Sequence, residues 1–162
     1  MITRNVDSFA GNYDKAAGDS KLPLVDAYNL SQLAPACDGL STLLSNALSE
    51  EVGAETIVQG VNVSADSFYS SQGRIDDNFD DSNDQLIVDY VLARYPDAGS
   101  MEMESFSLLH LARCSRIPIF ATACAIVVAN RCTADVIPGA VLERMEDRGG
   151  LAMLQALAGY QF

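Results

Sequence analysis

The chain is poor in positive charge. Ten Lys and Arg stand against 22 Asp and Glu in 162 residues, a net charge of -12, and a surface of that sign repels phosphate backbones and anionic lipid. Nucleic acid and membrane surfaces are therefore not expected as partners. A small phosphorylated ligand remains compatible, because a few local Arg side chains outweigh a distant field at short range in a partly buried site. Long hydrophobic runs are also lacking: the longest, residues 117–129, is too short to span a bilayer and contains Pro118. Met1-Ile2-Thr3-Arg4-Asn5 has no apolar signal core, so the expectation is a cytoplasmic protein. Cysteine is sparse and unpatterned. Cys37, Cys114, Cys124 and Cys132 form no CxxC pair and His110 is the single histidine, which argues against a zinc site or disulfide framework and for buried free thiols. His110 reads as structural rather than as a general base, and its i+4 neighbour Cys114 has no third group to orient it as a nucleophile. Asp76, Asp77, Asp80, Asp81 and Asp84 cluster without the Gly and terminal Glu of a calcium loop, so they read as a solvated loop, with no metal expected.

What is present is an apolar chain, 49% hydrophobic, of a size that buries roughly 70% of its unfolded surface. One domain over residues 1–162 is expected, with the first twenty residues as loop. Residues 1–4 have the β-branched character of a strand entered abruptly. Leu40, Leu43, Leu44, Ala47 and Leu48 recur at helical spacing and predict a helix over 41–52, stopped at Gly53. Residues 56–64 read as a strand, 84–94 as a second helix closed by Pro96, 101–103 as a short strand, and 104–114 as a third helix. Residues 117–129, rich in Ile and Val, predict a central strand covered on both faces. Pro138 opens a final helix with Val141, Leu142, Met145, Leu151, Leu154 and Leu157 as its stripe, and Gly149-Gly150 leaves open whether it is one helix or two. This alternation predicts an α/β fold, a sheet layered with helices.

Two stretches carry chemistry. In Asp66-Ser67-Phe68-Tyr69-Ser70-Ser71-Gln72-Gly73-Arg74, placed after a strand, the Gln72 amide supplies donor and acceptor and Arg74 supplies donors only. That pair suits the carbonyl, imide and carbonyl edge of a pyrimidine, with Phe68 to pack on the ring and the Arg74 charge to favour negative charge on a departing base. In Met101-Glu102-Met103-Glu104-Ser105, an ionised Glu104 matches the two vicinal hydroxyls of a ribose, above an apolar floor at Met103. Taken singly, each stretch has an ordinary structural explanation: a solvated turn, and an acidic helix start.

Taken together and in this order, the two stretches resemble the nucleoside phosphorylase superfamily, most closely its uridine phosphorylase branch. Residues 126–131, an apolar run ending in Asn130-Arg131, are similar to the same branch, whereas purine-specific relatives place an Asp after the corresponding strand. The resemblance implies a mixed sheet layered with helices and reversible phosphorolysis of a uridine-like nucleoside to uracil and ribose 1-phosphate. It implies inorganic phosphate as co-substrate, no organic cofactor, and assembly as a dimer or a set of dimers. It assigns Arg74 and Glu104 to catalysis, and Phe68, Gln72, Arg74, Glu102, Met103, Glu104, Val128 and Ala129 to substrate binding. The family's phosphate-binding Gly and Arg segments lie in the N-terminal half, upstream of what this chain matches, and Arg4 and Arg131 do not stand in for them. The chain is thus expected to correspond to the C-terminal part of the family's fold. The alternatives are a purine or methylthioadenosine-type phosphorylase or nucleosidase, and a nucleoside-binding chain without turnover that assembles with a longer homologous subunit.

Overall fold

The computed structural model describes residues 1–4, 27–78, 81, 83–131 and 133–161. Most of the expected N-terminal loop, together with Asp80 and Cys132, lies outside the described residues. The described residues form two compact units, one built from 1–33 and 60–106, the other from 34–59 and 107–162.

In the first unit, the short strand β1 (Ile2–Arg4) pairs antiparallel with β2 (Tyr28–Leu30). A second pair, β3 (Val61–Ser64) and β4 (Ala98–Glu102), is parallel, with Ser64 opposite Glu102. A bridge from Ile2 to Ala65 joins the end of β3 to β1. Ile2, Ala27, Tyr28, Val63, Leu86 and Val91 make the core of this unit, with Leu30, Ile87, Tyr90, Ala98 and Met101 packed against it. Tyr28 is fully buried, so its hydroxyl needs partners there; it meets Ser70 Oγ at 2.8 Å and donates to the Asp81 carbonyl at 2.9 Å. Burial pushes its phenol above the ordinary value.

The helix expected over 84–94 is instead a π-helix, Leu86–Val91, that tightens into a single α-helical turn, Leu92–Arg94. It starts from Gln85 at φ +65, a left-handed entry that no apolar spacing signals. The wide turn places Leu86 and Val91 in the core.

The second unit is helical. Helix α1 (Asp38–Val52) extends the predicted helix by one turn at its start and stops at Gly53, whose φ of +95 is in the region that favours glycine. Helix α2 (Ser105–Cys114) starts within the first unit, and helix α3 (Gly139–Gly159) follows Pro138. Gly149 and Gly150 do not divide α3. It packs on α1 through Ala152 and Ala156 against Leu40, Leu44 and Ala47, and Glu51 takes hydrogen bonds from Arg148 (3.1 Å) and Gln155 (3.0 Å) at the rim. Of the predicted stripe, Val141, Leu142 and Met145 are half-buried, whereas Leu151, Leu154 and Leu157 are exposed, and the buried positions of the helix's second half are Ala152 and Ala156.

Two further expectations are corrected. Residues 117–129 are not a buried central strand. Among the described residues the segment gains only the bridge Ala129 to Val136, and Ile117, Ile119, Val127 and Val128 are half or more exposed. A central strand needs a ladder on each edge, and no described strand lies along it. The described cysteines are not buried either: Cys37 is half-buried, while Cys114, at the end of α2, and Cys124, within residues 117–129, are exposed. No helix among the described residues is long and apolar enough to cross a membrane.

Candidate functional site

Both chemistry-bearing stretches leave the same end of the same pair of strands. Because β3 and β4 are parallel and end in register, the chain exits β3 into residues 65–74 directly beside the point where it exits β4 into Met103 and Glu104. The Ala65 amide donates to the Glu102 carbonyl at 2.8 Å, which holds the two exits together. In open α/β sheets, ligands bind outside the carboxyl ends of parallel strands.

The first loop is fastened at several points. Asp66 takes the Arg4 amide on Oδ2 (2.9 Å) and the Ser71 hydroxyl on Oδ1, and the Ser71 amide donates to Ser67 Oγ (2.9 Å). The loop then reverses through a turn in which the Gly73 amide reaches Ser70 O (3.0 Å) and the Arg74 amide reaches Tyr69 O (3.0 Å). Gly73 has φ +62, and a Cβ there would lie 3.2 Å from Ile87 Cγ1, so glycine fits both the conformation and the space. Asn83, buried, donates from Nδ2 to Arg74 O at 2.8 Å and to Ser70 O at 3.3 Å, closing the loop's far end. The reversal lays the Arg74 guanidinium over the Phe68 ring, 3.9 Å from its centroid, with Tyr69 edge-on to the same ring at 5.1 Å. Gln72 is buried, whereas Phe68 and Arg74 are exposed. The structure therefore brings Phe68 and Arg74 into contact and buries Gln72.

The second stretch is organised by Glu102. Its Oε1 takes Asn62 Nδ2 (2.7 Å), Ser105 Oγ (2.8 Å) and the Ser64 hydroxyl. Its Oε2 takes the amides of Glu104 and Ser105, both at 2.6 Å. Ser64 Oγ also receives the Phe106 amide at 2.8 Å. This carboxylate caps the start of α2 and ties it to β3, which satisfies N-terminal amides that would otherwise lack partners. Partial burial pushes the Glu102 carboxyl up, but the hydrogen bonds from Ser64, from the Ser105 and Glu104 amides and from the Ser105 hydroxyl outweigh it. The balance lowers the group from 4.5 to about 2.

Of the two acids, Glu104 is the one that faces outward: it is exposed, and its Oε2 accepts the Met103 amide at 3.1 Å. Met103, half-buried, lies between them. The sequence reading assigned Glu104 to the ribose hydroxyls and Glu102 to substrate binding beside it, but Glu102 is fully engaged within the protein. Asn62, Ser64 and Asn83 escaped the sequence reading, and Asp66 and Ser105, which stand in the two stretches, were given no role by it. For Asn62 and Ser64 a polar residue inside a strand was the available signal. Val128 and Ala129 belong to the second unit, on the exposed segment before the Val136 bridge.

The remaining candidates sit elsewhere. Arg4 pairs with Asp81 at 2.7 Å. Asp76 Oδ1 accepts the Asn78 amide at 2.8 Å in a local turn, and among the described residues no group of three or more His, Cys, Asp or Glu side chains is arranged to hold a metal ion. His110 Nε2 lies 3.5 Å from Cys114 Sγ on the exposed side of α2.

Comparison with known proteins agrees with this architecture. The family model described as the phosphorylase superfamily matches residues 1–154. Among solved structures, the chain is similar to one reported in a structural and catalytic study of two diverse uridine phosphorylases from the oomycete Phytophthora capsici, with 33% identity and a TM-score of 0.80. The match covers 99% of this chain and 57% of the oomycete chain, so this sequence spans little more than half of that structure. No curated protein matches.

Proposed function

Given that this chain belongs to the phosphorylase superfamily, we propose that its first unit supplies the base-and-ribose side of a site for reversible phosphorolysis of a pyrimidine nucleoside of the uridine type. The observation that carries this reading is the common exit of the two stretches at the carboxyl ends of β3 and β4, where an exposed carboxylate and an exposed guanidinium leave adjacent strand ends. The similarity to a uridine phosphorylase, and the absence of an Asp after residues 126–129, favour a pyrimidine over a purine.

In the proposed reaction an oxygen of inorganic phosphate bonds to the anomeric carbon as the glycosidic C–N bond breaks. The electron pair of that bond leaves with the base, which takes up a proton to become uracil, and the sugar becomes ribose 1-phosphate. Glu104 accepts hydrogen bonds from the 2′ and 3′ hydroxyls and so fixes the sugar against the attacking oxygen. Arg74, held over Phe68, places positive charge beside the departing base, and Gln72 donates to and accepts from its edge. Glu102 has no direct part: it fixes the backbone from which Glu104 projects.

Calorimetric titration of uridine into the 162-residue chain, with and without phosphate, tests this reading when followed by an assay for released uracil. Binding with phosphate-dependent release is the result expected of a complete enzyme. Binding without release supports the nucleoside half of the site alone, and tighter binding of inosine than of uridine would overturn the pyrimidine assignment.

A further inference from the structure

Two ties from residues 66–74 to the strand before them meet at one carboxylate. Ala65 bridges Ile2 in parallel register, and the Asp66 amide carries that pairing to the Ile2 carbonyl at 3.1 Å. In a parallel ladder the next bond would run from the Arg4 amide to the Asp66 carbonyl. The Arg4 amide donates instead to Asp66 Oδ2 at 2.9 Å, so the side chain stands in for its own backbone, as short Asp side chains do at turns. The pairing ends there and the chain turns away into the loop. The second oxygen, Oδ1, takes the hydroxyl of Ser71, five residues on. Ser71 is fully buried although Asp66 is exposed, and its amide is bound to Ser67 Oγ at 2.9 Å. From Ser71 the chain passes directly to Gln72, and on the far side of Gln72 the Gly73 and Arg74 amides and the Asn83 side chain close the turn.

We propose that Asp66 is a positioning residue for base recognition: by fastening Ser71 to the end of β1 it sets the direction in which the Gln72 amide is presented. The inference deepens the nucleoside reading given above and rests on it. Reading a base edge with one amide depends on direction as well as distance, and a displacement of about 1 Å in a site costs on the order of a hundredfold. A loop holds such precision when it is tied to a rigid element, and Asp66 ties the residue before Gln72 to a strand. Tyr28 also reaches the loop from a strand, meeting Ser70 Oγ at 2.8 Å, but Tyr28 is part of the core, so replacing it disturbs the fold. Asp66 is exposed and can be replaced without opening a cavity, which makes its contribution to the loop separable from its contribution to folding.

The test uses the 162-residue chain, calorimetric titration of uridine and amide hydrogen exchange. Asp66→Ala should weaken uridine binding about tenfold. Asp66→Asn, whose amide keeps an acceptor for the Arg4 amide and offers a donor to the Ser71 hydroxyl, should recover it to within about threefold of the parent. Coupling between substitutions separates positioning from a general loss of structure. In the Asp66→Ala background, Gln72→Ala should cost less than about twofold further, whereas Glu104→Ala should cost the same factor in both backgrounds. The amides of Ser71, Gly73 and Arg74 should exchange about tenfold faster in Asp66→Ala, with that of Phe106, bound to Ser64 Oγ, unchanged. The proposal is overturned by full additivity with Gln72→Ala, by equal coupling to Glu104→Ala, or by unchanged exchange at residues 71–74. Absence of uridine binding by the parent chain would be a failure of the nucleoside reading instead, and exchange at residues 71–74 then decides by itself whether Asp66 holds the loop.

Discussion

Glu104 and Glu102 are two residues apart and do different work. Glu104 is exposed, so Glu104→Ala should leave thermal stability within about 0.5 kcal/mol of the parent while weakening uridine binding roughly tenfold to a hundredfold, the equivalent of hydrogen bonds to a charged group. Calorimetric titration beside a thermal melt checks both halves. Glu102 is engaged by two amides, two hydroxyls and an Asn side chain, and Glu102→Gln should destabilise the fold by about 1–2 kcal/mol near neutral pH. The pH dependence has a definite sign. Folding lowers the Glu102 carboxyl from 4.5 to about 2, so its stabilisation is fully present above 4.5 and is lost as pH falls through about 2. The melting temperature of the parent should therefore drop across that window more steeply than that of Glu102→Gln, and equal slopes would remove the role assigned here. The sequence reading set Glu104 on the ribose hydroxyls but could not give Glu102 its structural role, because that role depends on Asn62 and Ser64, some forty residues upstream, arriving beside it.

Among the elements, the helices were legible where apolar spacing and a stop signal coincide, as in α1 with Leu40, Leu44, Ala47 and Gly53. The π-helical segment Leu86–Val91 was not, since its widened turn depends on a left-handed Gln85 rather than on any spacing of apolar residues. The loop 66–74 was placed correctly after a strand, but its geometry rests on the positive φ of Gly73, and the contact between Arg74 and Phe68 follows from that turn and not from their six-residue separation. In its second half the stripe of α3 was read through Leu151, Leu154 and Leu157, whereas the buried positions there are Ala152 and Ala156, small residues that hydrophobicity alone does not rank first. α3 also carries two glycines in its interior, and a Cβ at Gly149 or Gly150 would meet nothing within 4 Å. Gly149→Ala and Gly150→Ala should each stabilise the chain by about 0.5–1 kcal/mol by restricting the unfolded state, measured as a higher denaturant midpoint at unchanged slope.

For the molecule as a whole, charge and exposed apolar surface act against each other. The net charge of -12 opposes association through the exposed apolar residues of 117–128, and that repulsion vanishes near the isoelectric point of about 4.2. Light scattering across a pH series should therefore show a maximum close to that value, and Val127→Lys should lower it; a flat profile would mean that the segment is not sticky. The architecture was legible from the alternation of elements, but the conformation of 117–129 was not, since its apolar content signals a buried strand whereas among the described residues it gains only the bridge at Ala129. The two units are also interleaved, each assembled from two separated stretches of sequence. Neither can be cut out as one continuous piece, and the packing of α1 on α3 must await the last helix. At about 5–20 residues per second of synthesis, α1 leaves the ribosome several seconds before its partner helix exists, so Leu40 and Leu44 are exposed during that interval to whatever chaperone or protease reaches them first.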